Sequence, residues 1–136
     1  MVCEAMPMHL VPADRATRPT IDDHRVCDAI EALGEPAHLE TWAARFALLG
    51  DPHRLAVLLC IRGAGPISVT DLAMATGMNP TAVSQCLRLL RTAGVVGRDR
   101  DGKVVRYHLA DDTVGALLGI ANPAHGEYPE PEDYLD

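Results

Sequence analysis

Apolar residues recur every three or four positions through most of the chain, and the pattern switches to strict alternation only around residue 105. The first helical stretch carries Val26, Ile30 and Leu33; Thr20 serves as N-cap, Asp22 and Asp23 occupy the first turn, and Gly34 is the stop. Beyond Pro36, the spacing of Leu39, Trp42, Phe46 and Leu49 predicts a second helix that ends at Gly50. The stretch GDPHRLAVLLCIRG is punctuated at both ends, with Asp51 as cap, Pro52 at the first helical position and Gly63 as stop. It is apolar nearly all round, which predicts a helix at the centre of the core.

ISVTDLAMATG sets Ser68 and Asp71 in capping-box spacing and predicts a helix of about two turns ending at Gly77. NPTAVSQCLRLLRTAGVV follows after only GMN, with Asn79 as cap and Pro80 as first residue, so the two short helices form a helix-turn-helix pattern. VVGRDR and KVVRYHL then flank Asp101-Gly102, a hairpin signal, with Val105, Tyr107 and Leu109 alternating inward. That hairpin reads as a wing. DDTVGALLGIAN closes the pattern as a helix capped by Asp111 or Asp112, with Val114, Leu117, Leu118 and Ala121 on one side and Pro123 as its end. The fold class is therefore mainly α with a small β-hairpin, a winged helix-turn-helix. Residues 1–19 read as a flexible arm, 20–122 as the winged helix-turn-helix domain, and 123–136 as an acidic, proline-rich tail.

The second helix of the motif divides cleanly. At about 100° per residue, Val83, Cys86, Leu87, Leu89, Leu90 and Ala93 share one sector, while Thr81, Ser84, Gln85, Arg88, Arg91 and Thr92 fill the other. A solvated face normally mixes both charge signs. This one combines hydroxyls, an amide and two arginines with no carboxylate, the groups that bond to base edges and phosphates. Asn79 and Thr81 sit at the helix N-terminus, whose free amides and positive dipole end suit a phosphate. Arg98, Arg100, Lys103 and Arg106 on the hairpin are placed to reach the backbone beside the groove.

Composition narrows the alternatives. With 136 residues, 48% of them hydrophobic and 4% aromatic, the chain can bury one modest core. It carries no apolar run long enough for a membrane span and no secretion-signal core, so a cytoplasmic protein without membrane partners is expected. The net charge of −7 is unevenly spread: residues 81–108 hold six basic side chains against two acidic ones, and charges farther than about 8 to 10 Å are screened. The local patch outweighs the total. No GxGxxG, Walker loop, HExxH or GxSxG is present, so no enzyme is expected.

LLGDPHRLAVL, VTDLAMATGMNPTAVSQCLRLLRTAGVV and RDRDGKVVRYHLAD together resemble the ArsR/SmtB family of winged-helix transcriptional regulators, over about Trp42 to Leu118. The resemblance implies a homodimer built on the first core helix and the last helix. It also implies a recognition helix at residues 80–93 set into successive major grooves of double-stranded operator DNA, and repression relieved by an effector. Gly115 and Gly119 leave a small-residue strip on the last helix that would admit another helix, though ordinary packing explains it as well.

The family's metal patterns are incomplete here. Against the site between its last helices, Asp111 and Glu127 match the acids, but Thr113 and Ala124 stand where imidazoles are needed and His125 falls one residue out of phase. Ser68 and Thr70 replace a CxC, and Leu89 and Ala93 replace a late cysteine pair. The unmatched soft ligands are Cys3 and His9 on the arm, with His24 and Cys27 three apart on the first helix. A transition-metal site for zinc, nickel, cobalt or cadmium drawn from Cys3, His24, Cys27, Asp111 and His125 is one expectation. Cys27 as a small core residue and His24 as an exposed polar one is the other. Two rivals stand beside a metal effector: a thiol or persulfide switch through Cys27, Cys60 or Cys86, and a winged-helix module whose basic wing binds acidic proteins.

Overall fold

The computed structural model describes residues 10–121 in two compact units, one ending at Ala44 and the other beginning at Arg45; Cys3, His9 and His125 lie outside the described residues. In the first unit a 3-10 turn, Ala13–Arg15, interrupts the expected arm before helix α1, Asp23–Leu33. The cap of α1 is Asp22, whose carboxylate accepts the Arg25 N–H at 3.2 Å, and not Thr20, whose hydroxyl donates to Asp23. Thr20 sits two positions too early to reach the orphan amides of the first turn. Helix α2, Pro36–Leu49, ends as the sequence predicts.

The second unit contains α3 (Pro52–Ala64), α4 (Val69–Thr76), α5 (Pro80–Thr92), strands β1 (Val96–Asp101) and β2 (Val104–Leu109), and α6 (Asp112–Ile120). Asp51, Ser68, Asn79 and Asp111 each accept an N–H from the following first turn, so side-chain caps set four of the helix starts. Helix α3 passes through Gly63 and is closed by Gly65, whose N–H donates to Ile61 O at 2.8 Å. The stop comes from Pro66, which disfavours helical backbone in the residue before it.

The core forms around α3. Val57, Leu58 and Ile61 pack with Leu72 of α4, with Val83, Leu87 and Leu90 of α5, with Val95 and Val96, and with Val114 and Leu118 of α6, all at 2% exposure or less. Fully burying each such side chain contributes about 1.5–3 kcal/mol. β1 and β2 pair antiparallel from Val96 with Leu109 to Asp101 with Val104, so the two-residue turn is Gly102-Lys103, one position later than the Asp-Gly signal suggests. Gly102 supplies the φ of +64° that the turn requires. Ile67 exchanges two backbone hydrogen bonds with Tyr107 and ties the wing to the segment that leads into α4.

Two arginines fasten helix ends and faces. Arg54 donates from Nε to Leu48 O at 2.9 Å and from Nη2 to Ala47 O at 3.0 Å, satisfying C-terminal carbonyls of α2. Arg62 donates from Nε to Gly115 O at 3.0 Å, and a Cβ at Gly119 would lie 2.8 Å from its guanidinium. The glycine strip of α6 thus accommodates an arginine of its own chain.

The Arg54 N–H holds the Asp51 carboxyl below its usual range, with the charges of Arg54 and His53 adding to this and partial desolvation opposing it. A lowered folded-state pKa stabilises the fold above the unfolded pKa and is lost as pH falls through the folded value. Asp51→Ala should therefore lower the urea midpoint at pH 7, and the gap to the parent chain should close below about pH 4, the ordinary carboxylate range.

Candidate nucleic-acid interface

The apolar stripe of α5 fixes its rotation. With Val83, Leu87 and Leu90 buried, Thr81, Ser84, Gln85, Arg88, Arg91 and Thr92 are all exposed. Leu89 is exposed as well, at 46%, and so is Ala93. Leu89 lies about 120° round the helix from Val83, outside the buried arc, and Ala93 is already the C-cap. Asn79 has a local role: its Oδ1 accepts the Ala82 N–H at 2.8 Å and fixes where the helix begins. Pro80 has no N–H, so Thr81 contributes the amide that remains for an anion at this end.

The strand register sorts the wing charges. Arg98 stands opposite Tyr107 and Arg100 opposite Val105 on one face, while Asp99 opposes Arg106 and Asp101 opposes Val104 on the other. Arg98 and Tyr107 join Ser84, Leu87, Arg88 and Arg91 around a concavity of about 230 Å³ between α5 and the hairpin. Three guanidiniums meet there without a carboxylate, and among the described residues Arg88, Arg91, Arg98 and Arg100 form no ion pair.

The opposite face is neutralised. Asp101 pairs with Arg106, and Asp99 Oδ2 lies 3.2 Å from His108 Nδ1, an ion pair whenever the imidazole is protonated. Of the predicted wing contacts, Arg98 and Arg100 therefore share the face of the recognition helix, Lys103 is at the turn, and Arg106 is turned away and engaged by Asp101. His108 reads from sequence as a plain surface residue. Its ring lies over Gly97, where a Cβ would approach Nε2 to 2.7 Å; the small residue opposite it in the register is the signal that could have revealed this.

The described residues do not fit a metal centre. His24 is exposed whereas Cys27 is fully buried, so the helical pair does not offer two donors to one point in solvent. Asp111 accepts the Thr113 and Val114 N–H groups at 2.9 and 3.1 Å and faces Arg45 at 3.7 Å. Its oxygens are committed to the α6 cap and to a cation. Among the described residues no group of three or more His, Cys, Asp and Glu could hold an ion. The expected donors Cys3 and His125 lie outside those residues. Of the described thiols, Cys60 and Cys86 are half-buried against the core; desolvation, together with the nearby Asp51 charge, pushes the Cys86 thiol up, with Arg54 opposing.

A short capped helix, a recognition helix with an exposed hydroxyl, amide and guanidinium face, and a basic hairpin beside it define a winged helix-turn-helix transcriptional regulator. The chain belongs to the ArsR/SmtB family of such regulators. The transcriptional repressor SmtB of Mycobacterium tuberculosis is 35% identical over 120 residues, 88% of this chain and 82% of the relative. The regulator NmtR of the same species is 46% identical over 79 residues, 58% of this chain, and the match spans 65% of NmtR's length. The family model HVO_A0114 matches residues 51–115. Among solved structures, the AntR antimony-specific transcriptional repressor superposes with a TM-score of 0.60 at 31% identity, covering 64% of this chain and 78% of AntR. No described helix is long and apolar enough to cross a membrane.

Thiolate is the reactive form of cysteine, so raising the Cys86 pKa suppresses its chemistry at neutral pH. Alkylation of Cys86 by iodoacetamide, followed by peptide mass spectrometry against pH, should show a midpoint above that of a free cysteine. A midpoint below it would restore Cys86 as a redox reporter.

Proposed function

We propose that this chain is a sequence-specific DNA-binding repressor that acts as a homodimer and is released from its operator by an effector. The observation that carries the reading is the convergence of Arg88, Arg91 and Arg98 with Ser84 and Gln85 on one surface, while Asp99 and Asp101 face away. In this reading Ser84, Gln85 and Arg88 enter the major groove and contact base edges. Arg91, Arg98 and Arg100, with the Thr81 amide, contact phosphates. Two subunits would place recognition helices about 34–36 Å apart, one helical turn of a palindromic site.

Duplexes selected from a random pool and titrated by fluorescence anisotropy test this. Affinity should fall with salt at a logarithmic slope of about −0.9 per phosphate contact, and Arg98→Ala should weaken all duplexes alike and reduce the slope by about 1. Arg88→Ala should instead cost about 1–3 kcal/mol of discrimination at one base position. Failure to enrich any duplex from the pool would favour the interaction-module alternative.

For the effector we infer a soft or transition metal ion. Support comes from AntR, whose name specifies antimony, and from the thiol and imidazole of Cys3, His9 and His125, which stand outside the described residues. The reduced protein on its selected duplex should lose affinity about 5- to 150-fold with zinc, nickel, cobalt or cadmium, the range of ordinary allosteric coupling. Unchanged affinity with all four would remove the metal reading and leave the DNA-binding one standing.

A further inference from the structure

The first unit holds an apolar groove that the DNA-binding reading does not use. Val11, Val26, Ala29, Ile30 and Leu33 line it together with Arg15 and Arg18, around a volume of about 380 Å³, within the size range of small-molecule sites, roughly 300–1,000 Å³. A second, shallower groove shares Thr20, Val26 and Ala29 with it and adds Ile21, which is fully exposed. Apolar surface therefore runs along α1. At about 1.5 Å per residue, Val26 to Leu33 spans about 10 Å, the length of a medium alkyl chain.

The charges beside the groove are unbalanced. Asp22 caps α1 and pairs with Arg25 at 3.2 Å, and Asp23 accepts the Thr20 hydroxyl. Asp14 meets Arg15 only at 3.6 Å, with both side chains well exposed, so that pair is loose. Among the described residues Arg18 has no ion pair. Asp22 and Asp23 are committed, and the Arg18 guanidinium is left beside an apolar trough.

We propose that this groove binds a medium-chain carboxylic acid, its alkyl chain lying along Val26, Ala29, Ile30 and Leu33 and its carboxylate held by Arg18 and Arg15. Apolar burial supplies the affinity, and the guanidinium fork selects an anionic, planar head over a neutral or cationic one. All of its lining residues lie in the first unit, so binding alone tests it.

Isothermal titration of the full-length chain with decanoate and decyltrimethylammonium below their micelle concentrations, and with decanol below its solubility limit, is the experiment. Decanoate should bind saturably, one per chain, at least tenfold more tightly than either other head group. Arg18→Gln should reduce decanoate affinity at least fivefold with no change for decanol. Ile30→Glu, with its helical circular dichroism retained, should abolish both. Absence of saturable binding, as when a second copy of the chain or residues 1–9 cover the groove, would overturn the proposal. Equal affinity for the three head groups, or indifference to Arg18→Gln, would do the same.

Discussion

The burial of Val83, Leu87 and Leu90 against α3 is the constraint on which the rest of the structure depends. These three side chains allow α5 a single rotation about its axis, and that rotation decides what faces outward. Because protein interiors are packed at crystal-like density, turning the helix by one residue would leave voids and expose aliphatic surface. The polar face of α5 is held in place by what lies behind it. The backbone that carries Ser84, Gln85 and Arg88 is fixed by that packing, so its ordering precedes any ligand.

The hairpin completes the surface by a different device, the two-residue period of a strand. A sequence that alternates Arg-Asp-Arg-Asp is nearly neutral as a composition, yet the pleat separates the signs onto opposite faces. Arg98 and Arg100 join α5, while Asp99 and Asp101 meet His108 and Arg106 on the far side. A chain with net charge −7 thereby presents a carboxylate-free cluster of guanidiniums at one place. Short-range screening makes that cluster the charge an approaching polyanion meets.

Much of this was legible in the sequence because it is local. Asp51-Pro52, Ser68 with Asp71, and Asn79-Pro80 mark helix starts by side-chain caps that act within one turn, and each start is where the residues indicate. Asp22 was misjudged since two candidate caps stand two residues apart, and Gly63 since a glycine is only permissive while Pro66 is restrictive. The face of Arg106 and the loose fit of Leu89 depend on strand register and on the width of the buried arc, which require partners distant in sequence. Arg62 over Gly119 and His108 over Gly97 are long-range contacts of the same kind. In the candidate binding surface, residue types were readable from the chain, and their grouping required the fold. The metal residues were harder still: Asp111 has the chemistry of a ligand, and only its two amide bonds and its approach to Arg45 show what occupies it.

The most direct measurement is chemical-shift mapping: isotopically labelled protein titrated with a selected duplex while backbone amide and arginine Nε resonances are followed. The account predicts that perturbations concentrate at Thr81, Ser84, Gln85, Arg88, Arg91, Arg98 and Arg100, with His108 and Asp99 on the outer wing face largely unmoved. Perturbations centred on that outer face, or on α3 and α6 with the polar side of α5 silent, would contradict it.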